Sequence, residues 1–199
     1  MQRFFDVIFS GFAILVLLPL LIPIAILLKL TGEGEVFFLQ DRIGKHGKKF
    51  KLYKFATMKK DSPNIGSGTV TIANDPRILP VGSFLREYKI NELPQLINIF
   101  NGDMSVIGPR PQTERCFNAF SDEVRDDILK VRPGLSGIGV LIIYNEERMM
   151  ESRDDADKFY DDVIMAYKGA LEQWFVRNNS VILYFVLIFA TVIALFFKS

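Results

Sequence analysis

Residues 4–28 form an apolar run that is interrupted only by Asp6 and Ser10. About 20 apolar residues are enough for a helix to cross the hydrocarbon core of a bilayer. A cleaved secretory signal is disfavoured, because the run is too long and no small-x-small cleavage site follows Lys29. The run therefore predicts a membrane helix, which either spans the bilayer or re-enters on the side from which it came.

Two prolines favour the re-entrant alternative. Pro19 and Pro23 lie in the middle of the run, and each removes a backbone hydrogen bond and promotes a bend. Arg3 and Lys29 flank the run, so both ends carry the basic residues typical of the cytoplasmic side. We therefore predict a re-entrant helix over residues 1–30.

A second apolar stretch covers residues 181–197, which carry no charge and are followed by Lys198. Seventeen residues are slightly short for a straight span. The stretch predicts a helix that either spans the membrane weakly or lies in its interface, and the sequence leaves both open.

Composition limits the remaining possibilities. Hydrophobic residues make up 49% of the chain and the mean hydropathy is +0.21, which indicates membrane contact. The net charge of +1 gives no overall attraction for nucleic acid. One cysteine, Cys116, and one histidine, His46, exclude a disulfide framework and disfavour a Cys/His zinc site. A metal ion would need oxygen ligands, which suits Mg²⁺.

The segment after the first apolar run is basic: residues 42–60 contain eight Lys or Arg and no acid. Next to a membrane helix, such a segment is expected to contact anionic lipid headgroups. Residues 36–39 predict a short strand, and residues 50–55 alternate apolar and basic, which predicts a half-buried strand with one cationic face. Lys54 on that face is a candidate substrate-facing lysine.

The most informative segment is residues 91–111, NELPQLINIFNGDMSVIGPRP. Helical spacing of its apolar residues (Leu93, Leu96, Ile97 and Phe100) predicts a helix. Pro94 suits only a first turn, so we expect the helix to begin near Asn91 with Asn91 as N-cap. Residues 101–102 end the helix, and residues 104–107 predict a buried strand.

This segment brings together several groups that could bind a phosphate. A helix N-terminus attracts anions; Glu92 and Asp103 are carboxylates near it; and Arg110 is held between Pro109 and Pro111. A phosphate or diphosphate bound with a metal ion would need such groups. The alternative is a capped helix, a turn and a strand without a site.

The same segment resembles the signature of the bacterial sugar transferases, the monotopic phosphoglycosyl transferases. Residues 35–58, 73–87 and 131–137 resemble further blocks of that family in the same order. The resemblance implies a membrane-associated α/β protein with a re-entrant N-terminal helix and a small cytoplasmic, mainly helical domain with short strands. It also implies transfer of a phosphosugar from a UDP-sugar to a polyprenol phosphate with release of UMP, the first membrane step of glycan assembly. Partners would be the lipid bilayer and these two substrates, with Mg²⁺ as cofactor and the cytoplasmic face of the inner membrane as location.

The resemblance also implies roles for individual residues. Asn91 and Glu92 fall at the catalytic and metal-binding positions. The candidate substrate-binding residues are Lys54, Asp75, Arg77, Arg86, Asp103 and Arg110. Arg86 has a structural alternative, an ion pair with Glu87 or Glu114.

One position departs from the family pattern: Asn91 stands where the family has a nucleophilic Asp. An amide is neutral and is a poor nucleophile. Three explanations remain open: Glu92 or the acceptor itself attacks, the substitution deliberately blocks turnover, or the protein is a non-catalytic binder of nucleotide sugars. A membrane-anchored scaffold is a further alternative.

The rest of the chain predicts supporting structure. We expect a short helix within residues 79–88, a loop over 62–69, a helix capped by Ser121 and stopped by residues 132–134, and an acidic helix over 146–162. The predicted division is a membrane helix (1–30), a cytoplasmic catalytic domain (31–180) and an apolar membrane-associated helix (181–199).

Overall fold

The computed structural model describes residues 1–31, 33–62, 75–143 and 159–197. Its helices are α1 (Gln2–Thr31), α2 (Pro80–Glu87), α3 (Gln95–Asn101), α4 (Glu114–Asn118), α5 (Asp122–Ile128), α6 (Ile138–Ile142), α7 (Met165–Arg177) and α8 (Val181–Phe197). Its strands are β1 (Phe37–Ile43), β2 (Lys49–Phe55), β3 (Ser105–Ile107) and β4 (Gly134–Ser136). Short 3₁₀ turns cover Lys45–Gly47 and Ile90–Glu92, and a π-helical turn, Tyr160–Ile164, precedes α7.

The chain forms two compact units. The first unit contains Met1–Ile8, Asp41–Phe50 and Ile99–Ser199, and the second contains Phe9–Gln40 and Lys51–Asn98. The described residues of both units are mainly helical with short strands, as the sequence predicts.

Helix α1 is continuous through Pro19 and Pro23. It is long and apolar enough to cross a membrane, and large apolar side chains such as Phe12 and Leu15 are exposed along it. Exposed apolar surface on this scale is expected where lipid rather than water is the solvent. The helix is consistent with membrane association, and its re-entrant path stays a prediction.

The core of the second unit packs the C-terminal half of α1 against β2 and α2. Ile24 and Leu28 of α1 contact Phe55 and Leu85 in one buried cluster. Gly82 of α2 lies so close to the Thr57 carbonyl that a Cβ atom there would collide with it. A glycine is therefore needed where α2 meets the end of β2.

The core of the first unit is built around two short strands. Strands β3 and β4 are parallel, with Ser105 opposite Gly134 and Ile107 opposite Ser136. Ile107 packs with Phe175 of α7 and with Tyr184 and Leu187 of α8.

A buried carboxylate ties α1 to this core. Asp6 is 1% exposed, and its Oδ1 accepts hydrogen bonds from the Ser105 hydroxyl (2.9 Å), the Val106 N–H (2.9 Å) and the Tyr184 hydroxyl (2.8 Å). A buried charge is costly unless it is hydrogen-bonded. The polar interruption at Asp6 is therefore explained by the partners that it meets on β3 and α8.

Most element predictions agree with the structure. The strands expected at 50–55 and 104–107 are confirmed as β2 and β3, and the helices expected at 79–88 and 181–197 are confirmed as α2 and α8. The strand expected at 36–39 overlaps β1, which begins at Phe37 and extends to Ile43.

Ser121 occupies the predicted N-cap position of α5, although its side chain makes no capping hydrogen bond and the helix ends at Ile128, before residues 132–134. The predicted loop at 62–69 and acidic helix at 146–162 lie largely outside the described residues. The predicted three-part division of the chain stays a prediction.

Candidate functional site

The predicted start of α3 is wrong, and the difference shapes the site. Asn91 is not an N-cap: it lies inside the 3₁₀ turn Ile90–Glu92, and α3 begins only at Gln95. The Glu92 N–H donates to the Lys89 carbonyl and the Leu93 N–H donates to the Ile90 carbonyl, each at 3.1 Å. Pro94 has no N–H with which to continue an α-helical ladder from Ile90, so a tighter turn precedes the helix.

This turn presents Asn91 to the interior of the second unit. Lys89, which begins the turn, has a left-handed backbone (φ 57°) that reverses the chain after α2. Asn91 is 7% exposed, and its Oδ1 has no hydrogen-bond partner among the described residues. A buried amide oxygen without a partner costs about 1–3 kcal/mol. Such a cost is typical of functional sites, where a ligand supplies the missing partner.

Glu92 forms an ion pair with a lysine of β2. The Glu92 Oε1 lies 3.4 Å from the Lys54 Nζ, and each side chain keeps about a fifth of its surface exposed (19% and 21%). The predicted substrate-facing lysine and the predicted catalytic carboxylate are thus in contact. Both charges remain accessible at the same point of the surface.

Asn98 fixes the geometry of this pair. It is fully buried in α3; its Oδ1 accepts from the Tyr53 N–H (3.0 Å) and its Nδ2 donates to the Lys51 carbonyl (2.8 Å). Both bonds hold the β2 backbone beside Lys54. Sequence reasoning missed this residue, although an amide between Ile97 and Ile99 is a polar interruption that could have marked it.

Asp75 and Arg77 form a buried ion pair in the second unit. The Arg77 Nε donates to the Asp75 Oδ1 (2.8 Å), an Nη donates to Oδ2 (2.5 Å), and the other Nη donates to the Ser62 carbonyl (2.6 Å). The hydrogen bonds to Asp75 raise the pKa of the Arg77 guanidinium. The two residues hold the backbone at 62 and at 75–77 together, and direct contact with a substrate stays a prediction.

Arg86 lies in the last turn of α2, which packs against the turn that carries Asn91. Its guanidinium contacts the Met58 sulfur at 3.7 Å. Within the described part of the chain no carboxylate pairs with Arg86, so the expected pairing with Glu87 or Glu114 is not observed there. A contact of Arg86 with a substrate stays a prediction.

In the first unit, Arg110 follows β3 between two buried prolines. Its N–H donates to the Glu172 Oε1 at 3.2 Å, and Arg42 donates to the Pro111 carbonyl at 3.0 Å. Just before it, a Cβ at Gly108 would lie 2.5 Å from the Arg132 carbonyl oxygen. The loop that carries Arg110 is therefore held tightly at its backbone.

Glu172 is the second residue that the sequence did not reveal. It is 2% exposed, and its Oε2 has no hydrogen-bond partner among the described residues. Burial raises the pKa of this carboxyl from 4.5 to about 7, although the Arg110 N–H and the charges of Lys168 and Arg110 act to lower it. A buried carboxyl with a raised pKa thus contacts the backbone of the Arg110 loop.

The structure brings Lys54, Asn91 and Glu92 together in the second unit, where Arg86 and the Asp75–Arg77 pair also lie. Arg110 belongs to the first unit, as does Asp103, which is half-buried in the turn between α3 and β3.

The oxygen donors of Asn91 and Glu92 fit a magnesium ion that is bound by only a few protein ligands. Residues 1–31, 33–62, 75–143 and 159–197 contain no group of three or more His, Cys, Asp or Glu side chains that could hold a metal ion. Mg²⁺ is usually bound by one or two protein oxygens together with substrate phosphates and water. The Asn91 oxygen, which has no partner in the described part of the chain, and the accessible Glu92 carboxylate match that donor set.

The comparison with known proteins identifies the class of protein. The sequence profile of the family described as bacterial sugar transferase matches residues 1–198. The chain belongs to the bacterial sugar transferase family.

Individual relatives agree with this assignment. The chain is 34% identical over 199 residues to the exopolysaccharide production protein PSS of Rhizobium leguminosarum bv. phaseoli, an alignment that covers 98% of this chain and 94% of that protein. It is 38% identical over 138 residues to the UDP-N-acetylgalactosamine-undecaprenyl-phosphate N-acetylgalactosaminephosphotransferase of Aeromonas hydrophila, covering 68% of this chain and 32% of that protein. It is 37% identical over 139 residues to the UDP-glucose:undecaprenyl-phosphate glucose-1-phosphate transferase of Escherichia coli, covering 69% of this chain and 30% of that protein. The chain thus spans almost all of the first relative and about a third of the other two.

Proposed function

We propose that this protein transfers a phosphosugar from a UDP-sugar to a polyprenol phosphate and releases UMP, as the first membrane step of glycan assembly. Family membership over residues 1–198 and the names of the Aeromonas and Escherichia relatives support the substrate classes. The observation that carries the proposal is the contact of Lys54 with Glu92, next to which Asn91 has a buried oxygen without a partner among the described residues.

The reaction exchanges one phosphorus–oxygen bond for another. An oxygen of the acceptor phosphate becomes bonded to the sugar-bearing phosphorus of the donor. The bond from that phosphorus to the oxygen shared with the uridine phosphate breaks, and UMP leaves with the electron pair. The chain's task is to orient both phosphates and to stabilise the charge that develops between them.

The candidate residues of each unit suit this task. In the second unit, Lys54 and Arg86 supply positive charge for a diphosphate. In the first unit, Arg110 carries a planar guanidinium suited to two phosphoryl oxygens. Asn91 and Glu92 would hold Mg²⁺, which would neutralise the negative charge of the diphosphate and of the leaving UMP. Because Asn91 is neutral, we propose that the attacking oxygen comes from the acceptor or from Glu92 rather than from residue 91.

The apolar helices support a location at the membrane. We propose that α1 re-enters the bilayer and that the site faces the cytoplasm at the inner membrane. The basic residues that flank α1, Arg3 and Lys29, favour this orientation.

The direct test is incubation of the full chain in lipid nanodiscs with undecaprenyl phosphate, Mg²⁺ and a panel of UDP-sugars, with UMP release as the readout. We expect repeated turnover with at least one UDP-sugar only when the acceptor is present, whereas attack by Glu92 would release at most one UMP per protein without it. Glu92→Gln should abolish it, whereas Glu87→Gln, an exposed carboxylate at the end of α2, should leave it unchanged. Binding of a UDP-sugar without any UMP release would favour a nucleotide-sugar-binding protein instead.

A further inference from the structure

A polar cavity of about 240 Å³ lies in the first unit. Four basic side chains line it: Arg3, Lys45, Lys130 and Arg132. None of the eight site residues discussed above is among its lining residues. The cavity is therefore distinct from the candidate site residues, and its basic lining suits an anion.

The positive charge of the cavity is only partly offset. Asp6 is the one acid that lines it, and its carboxylate is already hydrogen-bonded to Ser105, Val106 and Tyr184. Lys130 is paired with Asp127 at 2.5 Å. With both acids counted against the four bases, an excess of positive charge remains.

Three of the four cations are held in place. Arg3 donates to the carbonyls of Ile99 and Phe100, and Arg132 donates to the Gly102 carbonyl at 2.8 Å. These bonds satisfy the end of α3, and they leave further guanidinium N–H groups for a ligand. Lys45, in the turn between β1 and β2, has no polar partner for its Nζ among the described residues and is the cation most able to respond to a ligand.

The cavity lies where both apolar helices begin. Gln2, the first residue of α1, donates to Asn179, which precedes α8, at 2.6 Å, and both residues line the cavity. A few residues further, Asp6 of α1 is bonded to Tyr184 of α8. If the two helices enter lipid, their first residues mark the headgroup layer, where lipid phosphates are concentrated.

We propose that this cavity binds the phosphodiester headgroup of an anionic phospholipid of the phosphatidylglycerol type. Arginine and lysine together suit a phosphate, and the Ser105 hydroxyl and the amides of Gln2 and Asn179 suit glycerol hydroxyls. A volume of about 240 Å³ lies below the 300–1,000 Å³ typical of pockets that enclose whole small molecules. This size favours a headgroup over a nucleotide sugar.

The test is a titration of the full chain in detergent with short-chain (dioctanoyl) phosphatidylglycerol, with phosphatidylcholine of the same chain length as the neutral comparison. Lys45→Gln should weaken the apparent affinity for phosphatidylglycerol about fivefold, the effect of removing one basic residue near anionic lipid. Lys45→Arg should retain it. Lys48→Gln is the matched control, because Lys48 directly follows the same turn, is exposed and does not line the cavity. This variant should bind phosphatidylglycerol as tightly as the unchanged chain.

Several results would overturn the proposal. Equal weakening by Lys45→Gln and Lys48→Gln would indicate diffuse attraction to the basic surface, and equal binding of the two lipids would remove the role of charge. Displacement of the lipid by inorganic phosphate at millimolar concentration, dependent on Lys45, would indicate a site for a soluble anion. Displacement by a much smaller amount of polyprenol phosphate, again dependent on Lys45, would assign the cavity to the acceptor.

Discussion

Glu172 makes the stability of this protein depend on pH in a direction opposite to that of most carboxylates. Its pKa in the folded chain is raised from 4.5 to about 7 because the carboxyl is buried. The proton is therefore held more tightly in the folded than in the unfolded state. The stability due to the protonated form is fully present below pH 4.5 and is lost as the pH rises through 7.

The size of this effect follows from the two pKa values. One pKa unit corresponds to about 1.4 kcal/mol, so the shift amounts to about 3 kcal/mol, most of which falls between pH 5 and pH 8. Glu172→Gln keeps the acceptor for the Arg110 N–H and removes the titration. We expect the free energy of unfolding to fall with rising pH in the unchanged chain and to fall much less in the variant.

The assay is urea unfolding in detergent, followed by the fluorescence of Trp174, the only tryptophan in the chain. Asp127→Asn is the control. Hydrogen bonds from Lys130 and Arg177 lower the pKa of Asp127 to about 2, so its contribution is lost only as the pH falls through that value and is constant between pH 5 and 8. Parallel pH profiles for the unchanged chain and Glu172→Gln would refute the reasoning.

Three further predictions concern the site and the membrane helix. Asn91→Asp should raise UMP release and give a covalent phosphosugar adduct on residue 91, detectable by mass spectrometry; unchanged release without an adduct would exclude residue 91 as a latent nucleophile. Arg110→Lys keeps the charge but loses the two-pronged contact, so UDP-sugar affinity should fall. The melting temperature should stay the same, because the variant keeps the positive charge and the backbone hydrogen bond to Glu172; an unchanged affinity would give Arg110 a structural role. Single cysteines at position 2 or 33, in a Cys116→Ser background, should be equally protected from an impermeant periplasmic reagent; labelling of position 2 alone would establish a spanning helix.

Those parts of the fold that depend on local pattern could be predicted from the sequence. The uncharged run 181–197 coincides with α8, and the alternation at 50–55 lies within β2. The start of α3 could not be placed, because the pattern NELPQL suits both an N-cap and a 3₁₀ turn. The choice between them depends on the left-handed conformation of Lys89 and on packing against α2.

The residues that support the site depend on contacts between distant parts of the chain. Asn98 bonds backbone groups 45 and 47 residues away, and Glu172 meets Arg110 across 62 residues. Sequence patterns make Glu92, Lys54 and Arg110 candidate site residues, but they carry no information about which buried groups hold them. The close approach of Gly108 to the Arg132 carbonyl is likewise visible only in three dimensions.

The hydrogen bond between Asp6 and Tyr184 joins residues that are 178 positions apart. During synthesis on the ribosome, Asp6 is made long before its partner on α8 exists, and β3 supplies its other partners only after some hundred residues. In that interval the carboxylate must stay hydrated, because an unpaired charge is costly in an apolar environment. The start of α1 therefore completes its packing only after α8 has been made, so the final docking of α1 is a late event in the biogenesis of this protein.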